Sequence, residues 1–411
     1  MRQMNILVLG LGYVGLTTAL GLAEKGHKIS GFDKSEKITA ELAVGHVSIS
    51  EPGLSDALAR HLNIGFTVLS TPPTDLSDFD AVFICVGTPC ENSGNTDLRL
   101  IFSAIDMLAP ELKSFGGVVI IKSTVPPNTT KTKILPYLRA VGINAPVANN
   151  PEFLRETHCW EDFMNPDRII CGAEDAAAQE KLKSIYKGYN APVIFTSLNT
   201  AEFIKYLSNN MLASMISFSN EMSMIADAIG DISIKQAFEA LHLDKRWADA
   251  SMKNYVYPGC GFGGDCLPKD LQAMISHAKS HGVYPAVLES VQNVNNSMAS
   301  YFAEQVKVDT SESIGILGLS FKPSSSDVRF SPAAAIISAL LYKGYSSIYA
   351  YDPIANLEFS DKYNFKINYC DNIDEVCKKA KTVIIATAWQ QFEGIDKLYP
   401  DVNFIDGRYF L

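Results

Sequence analysis

The 411-residue chain has no uninterrupted apolar run approaching the roughly 18 residues that suggest a membrane span. Its eight cysteines form no CxxC pair and no Cys/His cluster at zinc spacing, which argues against a structural metal site. Positive charge is also in short supply. A net charge of -10 argues against general nucleic-acid binding and obliges any anionic ligand to be held by locally placed Lys and Arg. No small-residue cleavage site follows the N-terminus, which runs straight into a strand-like segment, so the expected location is the cytoplasm, with the cysteines as thiols. What is present, 47% hydrophobic and 19% charged residues, suits a globular protein with an ample core. The length leaves room for two or three domains.

Residues Asn5 to Leu9 form a short apolar run that meets Gly10-Leu11-Gly12-Tyr13-Val14-Gly15. An Ala/Leu-rich helical pattern continues to Lys25 and stops at Gly26, and a second strand, Lys28 to Phe32, ends at Asp33. Strand, glycine turn, helix, cap, strand and acid in this order predict a dinucleotide-binding unit. The glycines allow a tight turn and let a pyrophosphate reach the helix N-terminus, while the acid takes the ribose hydroxyls. Asp33 without a neighbouring Arg favours NAD over NADP; Lys34 and Lys37 keep the second cofactor open.

Two buried-strand runs follow, one from Ala81 ending in Thr88-Pro89 and one from Val118 ending in Ser123-Thr124. Both turn polar at the carboxyl edge, where open parallel sheets bind ligands. Thr88 and Thr124 are candidates there, with simple strand termination as the alternative. In the segment that includes Glu152, Phe153, Leu154, Arg155 and Glu156, a helix would put the two glutamates on one face. Another strand is expected from Ile169 to Gly172.

From Asn199 to Ile229 there is neither Gly nor Pro, and apolar residues recur at helical spacing. A helix of about 30 residues is a natural divider between domains and a natural dimer seam. On it Lys205 and Asn209 share a face. Then comes Tyr257-Pro-Gly-Cys-Gly-Phe262-Gly263-Gly-Asp-Cys266-Leu-Pro-Lys-Asp270. Such glycine density needs a reason, and close approach of backbone to a ligand is a common one. Cys266 has the setting of an exposed, reactive thiol.

The C-terminal third echoes the N-terminal one. Ser313 to Pro323 parallels Asn5 to Gly15, Gly344 parallels Gly26, and Asp352 parallels Asp33. Ser320 and Pro323 stand where the first copy has Gly12 and Gly15. The second copy therefore reads as a nucleotide-type domain that has lost its dinucleotide, with Lys322, Asp327, Arg329 and Arg408 at its polar ends.

Taken together, these motifs resemble the UDP-glucose/GDP-mannose dehydrogenase family along essentially the whole chain. Glu51-Pro-Gly-Leu54, Thr88-Pro89, Ser123-Thr124-Val-Pro126, Asn150 to Glu156, Lys205 with Asn209, the loop to Asp270, and Phe321-Lys322-Pro with Asp327 and Arg329 carry the resemblance. It implies an α/β chain in three parts: a Rossmann NAD-binding domain over 1–196, a central helical dimerisation domain over 197–298, and a Rossmann-like sugar-nucleotide domain over 299–411. It also implies oxidation of a sugar C6 alcohol to a carboxylate with two NAD per turnover, in a homodimer whose product commonly feeds polysaccharide synthesis. By resemblance, Cys266 is the nucleophile, Lys205 and Asn209 face the C6 oxygen, and Asp270 with Thr124 handles protons and water. Glu152 and Glu156 complete the catalytic set. Gly10 to Gly15, Asp33, Lys37, Thr88, Thr124, Glu156 and Arg329 would hold the cofactor. Glu152 to Arg155, Lys205, Asn209, Tyr257, Phe262, Gly263, Lys322 and Arg408 would hold the nucleotide sugar.

UDP-glucose is the expected substrate, with GDP-mannose or a UDP-N-acetylhexosamine as alternatives. A two-electron hydroxyacid-type dehydrogenase, which has no use for Cys266, and a silent NAD-binding sensor are the rival classes. Three residues depart from the family pattern: Asp265 for a Ser, Thr157 for a Gly, and Phe330 for a Glu.

Overall fold

A computed structural model describes residues 3–91, 93–244 and 255–411. They form two compact units, Met1–Leu207 and Ser208–Leu411.

The first unit is built on eight strands: β1 (Asn5–Leu9), β2 (Lys28–Phe32), β3 (Phe66–Val68), β4 (Ala81–Ile84), β5 (Val118–Ile121), β6 (Val147–Asn149), β7 (Ile169–Gly172) and β8 (Val193–Thr196). Their order in the sheet is β3-β2-β1-β4-β5-β6-β7-β8. The first six run parallel, β7 pairs antiparallel with β6, and β8 is parallel to β7. The six-strand parallel part has the Rossmann order, with the chain reversing direction of travel between β1 and β4.

Strand periodicity explains why the sheet is covered on both faces. Ile6, Val8, Phe83 and Ile120 belong to one apolar cluster, while Leu7, Leu9, Val82 and Ile121 belong to another. Side chains alternate across a strand, so a continuous apolar run feeds two cores at once.

The second unit holds a five-stranded parallel sheet of β9 (Ile314–Leu317), β10 (Ile348–Tyr351), β11 (Asn368–Tyr369), β12 (Thr382–Ile385) and β13 (Asn403–Asp406). Its order, β11-β10-β9-β12-β13, reproduces that of β3-β2-β1-β4-β5. The internal repeat seen in the sequence is thus a repeat of topology. Ahead of this sheet lie the helices Cys266–Ser280 and Ala286–Gln305.

The long helix Leu198–Ile229 has 32 residues, about 48 Å at 1.5 Å per residue. Among the described residues, no helix is long and apolar enough to cross a membrane.

Candidate active site

In the first unit, Gly10 follows β1 with φ +86, and a Cβ on it would come 2.9 Å from the Cys85 carbonyl oxygen. Gly15 sits where a Cβ would come 1.7 Å from the Gly10 carbonyl oxygen, so only glycine lets the helix Tyr13–Glu24 pack on the strand. Gly12 is different: a Cβ there would meet nothing within 4 Å. The space beside it is open. Gly12 leads directly into the helix, which has no side-chain N-cap and no acidic residue in its first turn. Uncapped N–H groups at a helix start favour an anion. The Asp33 carboxylate accepts 2.7 and 2.8 Å bonds from the Leu11 and Ser35 amides, which orient it while leaving lone pairs for ribose hydroxyls. Lys37 stands exposed on the helix Glu36–Ala43. These residues fit a dinucleotide.

Farther along the carboxyl edge, the Thr88 hydroxyl donates a 2.8 Å bond to the Thr124 carbonyl. That bond ties the ends of β4 and β5 together. Thr124 itself is half-buried. Just before it, the buried Lys122 donates to the Asn150 carboxamide oxygen at 2.9 Å, and burial holds its ammonium below the usual lysine range.

Residues 151–157 are not helical. The expectation that Glu152 and Glu156 share a helical face is therefore corrected. The physical reason lies in Glu152, whose Oε2 accepts the Leu154 amide at 2.6 Å, a local bond that competes with helix formation. A helix starts only at Cys159. Glu51, 108 positions away from Cys159, accepts the amides of Thr157 and Cys159 and anchors the turn. Gly53 gives Trp160 its space, since a Cβ there would lie 2.6 Å from the indole. The sequence marked Glu51-Pro-Gly-Leu54 as a motif without revealing that it serves as an anchor.

Glu152 Oε1 receives the Lys205 ammonium at 2.8 Å, and both side chains are buried. Burial opposes the Glu152 carboxylate, but Lys205, the Leu154 amide and Lys122 together hold it below the ordinary range. Phe153 lies with its ring 4.4 Å from Arg168 and 5.5 Å from Lys205. The Tyr13 hydroxyl donates a long 3.5 Å bond to Glu156. Arg155 is committed elsewhere: its guanidinium grips Asp162 at 2.6 Å, so the charge expected for a substrate has a partner in the next helix.

In the second unit, Cys266 is exposed and opens the helix Cys266–Ser280. Asp270 stands one turn on, at the i+4 position that shares a face with Cys266. The Asp270 carboxylate is almost wholly buried and accepts Asn209 Nδ2 at 2.6 Å and Lys269 Nζ at 2.5 Å. Lys269 was absent from the expected site; its neighbour Asp270 on the helix was the signal.

The other cysteines contrast with Cys266. Six are buried and Cys90 is half-buried. Burial pushes the Cys85, Cys171 and Cys260 thiols up to about 12 and raises Cys159 as well.

The glycines of the loop have a different use from the one expected. A Cβ on Gly259 would strike the Arg408 guanidinium, and one on Gly261 the Asn295 side chain. On Gly263 it would strike the Phe330 carbonyl, and on Gly264 the Phe321 ring. Protein atoms fill all four positions. Gly261 and Gly264 additionally have φ of +102 and +75. Phe262 is buried beside Leu271 and Val291, its amide bound by Asn295 at 2.7 Å. The Tyr257 hydroxyl donates to the Tyr409 carbonyl at 2.8 Å, and the Lys322 ammonium lies 5.5 Å over Phe321. A cavity of about 620 Å³ lies against Phe262, Gln272, Gln292, Asn296, Phe330 and Tyr363. Among the described residues no charged side chain lines it, and those residues are a poor match for a diphosphate.

Residues 4–190 match the NAD binding domain of the UDP-glucose/GDP-mannose dehydrogenase family, 199–297 its central domain and 315–411 its UDP binding domain. The chain belongs to that family. NAD is accordingly its cofactor, and the chain is an NAD-dependent nucleotide-sugar dehydrogenase. It is 37% identical to a UDP-glucose 6-dehydrogenase of Rickettsia bellii over 96% of this chain and 92% of that protein. In three dimensions it is similar to a UDP-glucose dehydrogenase from Pyrobaculum islandicum, with TM-score 0.92 and 35% identity over 100% of this chain and 95% of that one. It is also similar to a UDP-D-ManNAc dehydrogenase from Pyrococcus horikoshii, with TM-score 0.86 and 26% identity over 99% and 96%.

Two family departures, Thr157 and Phe330, occupy left-handed backbone with φ +68 and +48. Each carries a strain on the order of 1–2 kcal/mol for a residue with a Cβ. A glycine at 157 would be free of it.

Proposed function

We propose that this protein oxidises the C6 hydroxyl of UDP-glucose to a carboxylate in two steps, through a covalent adduct on Cys266. The observation that carries this reading is Cys266 itself: an exposed thiol at the first position of a helix, on the same face as the buried Asp270. The partial positive charge of a helix N-terminus favours a thiolate. Buried thiols raised to about 12 are poor rivals for that role.

NAD supplies the hydride acceptor for both oxidations. In the first, the ammonium of Lys205, held by Glu152 at 2.8 Å, stabilises negative charge developing on the C6 oxygen. Asn209, oriented by Asp270, presents its amide to the same oxygen. Cys266 Sγ then adds to the aldehyde carbon, and the resulting thiohemiacetal is oxidised to a thioester. Water cleaves that thioester, releasing the acid and restoring the thiol. Asp270 and Thr124 handle the protons and the water, and Glu156 serves the nicotinamide side. Lys322 and Arg408 supply the cations that the diphosphate needs.

Stoichiometry tests this. Wild type should form two NADH per sugar consumed, and Cys266→Ser should stall before releasing acid. One NADH per sugar from wild type would sink the reading. UDP-glucose is favoured by the names of the 34–37% identical relatives, whereas Leu267, where the family often has Phe, keeps GDP-mannose in contention. Side-by-side kinetics with UDP-glucose, GDP-mannose and a UDP-N-acetylhexosamine separates the substrates.

The long helix supports a homodimer. Phe203, Leu207, Met211, Phe218, Met222 and Ile229 are exposed along it by 41–69%, at successive spacings of four and seven residues. A second copy of this helix would cover that stripe.

A further inference from the structure

Asp265 occupies the N-cap of the helix that begins with Cys266, yet its side chain makes no capping bond. Aspartate at that position ordinarily accepts a first-turn amide. Here the carboxylate lies 3.3 Å from Arg329 Nη1 instead. The Nε and Nη2 edge of Arg329 is already held by Asp327, at 2.9 and 2.6 Å, so the guanidinium bridges two carboxylates. The backbone runs in parallel: the Gly264 amide donates to the Arg329 carbonyl at 2.9 Å. Gly263 abuts the Phe330 carbonyl with no room for a Cβ.

We propose that Asp265 is a positioning residue for Cys266, pinning the start of the nucleophile's helix to the 327–330 turn through its ion pair with Arg329. The proposal rests on the reading of Cys266 as nucleophile. Without the pair, the 263–265 segment keeps one backbone bond to the turn, and the thiol samples a wider range of positions. Loose placement of a reacting group costs rate far more than it costs substrate affinity. The side chains are 33% and 40% exposed, so the pair is also open to screening by salt.

The test compares wild type with Asp265→Asn and Asp265→Glu in the full-length enzyme. Asp265→Asn should lower kcat for acid formation by about three- to tenfold, with the KM for the nucleotide sugar within about twofold. Free aldehyde, trapped by a hydrazine, should rise with it. Asp265→Glu should recover at least half of the lost rate. Raising salt should slow wild type toward the Asn variant and leave that variant unmoved. Wild-type rates and no trapped aldehyde in Asp265→Asn would overturn the proposal. So would a KM that rises in step with a lowered Tm. Alkylation of Cys266 by iodoacetamide reads thiol placement without turnover, and it too should change in Asp265→Asn. Should Cys266→Ser still release acid, the nucleophile reading fails by itself, while the alkylation comparison still judges the ion pair.

Discussion

The chain contains the same parallel fold twice, and the two copies diverge at the one place where a ligand would enter. In the first, Leu11 donates its amide to Asp33 at 2.7 Å; in the second, Leu319 donates to Asp352 at the same 2.7 Å. Gly10 and Gly318 share a left-handed φ, +86 and +89. The turn geometry is therefore retained. What differs is occupancy. Asp352 is 2% exposed and also receives the Ser320 amide and hydroxyl, the indole of Trp389 and the amides of Ile354 and Ala355. Asp33 receives two amides and keeps its remaining lone pairs. The helix starts at Tyr13, directly after the first turn, whereas in the second copy it starts at Pro332, after an intervening loop carrying Asp327 and Arg329. A dinucleotide needs open space at this turn, and the second copy has filled its own with protein donors.

The largest effect should come from exchanging the two acids for alanine. Asp352→Ala strands buried donors and should cost on the order of 4 kcal/mol of stability, with NAD affinity unchanged in whatever folds. Asp33→Ala should leave stability nearly intact and weaken NAD binding roughly ten- to a hundredfold, the worth of hydrogen bonds to a charged group. Denaturant melts and NAD titrations of both variants measure the pair of effects. Equal stability losses would erase the distinction between a structural acid and a ligand acid.

Gly12→Val probes that open space directly. A Cβ there meets no protein atom within 4 Å, and the backbone is extended at φ -71, ψ -165, so stability should move by less than about 1 kcal/mol. NAD affinity should fall by roughly a hundredfold as the side chain takes the space of the pyrophosphate. Unchanged NAD affinity would mean the cofactor lies elsewhere.

The copies also show what the sequence made legible. Strands Asn5–Leu9, Lys28–Phe32 and Ile169–Gly172 were predicted to the residue, because apolar runs bounded by glycine or charge declare themselves locally. Gly26 and Gly344, with φ +89 and +97, mark helix ends for the same reason. Illegible features depend on partners distant in the chain. Nothing near 151–157 reveals that Glu51, 106 positions before Thr157, will take its amide. The glycines from 259 to 264 pointed to close approach by a ligand, whereas protein atoms from 295, 321, 330 and 408 crowd those positions.

The smallest and most discriminating change is Ser320→Gly, which restores a glycine where the first copy has Gly12. If glycine alone made the site, this variant would gain NAD binding in the second copy. The structure argues otherwise. The Ser320 carbonyl accepts the Thr387 hydroxyl, and the Trp389 indole donates to Asp352 at 3.2 Å, so the substitution opens only the volume of one hydroxymethyl group. Its hydroxyl bond to Asp352 would be lost, at about 1 kcal/mol. NAD titration should still give one site per chain, with Tm slightly lower. A second site would show that the second copy lost its dinucleotide through one side chain and not through the filling of its whole turn.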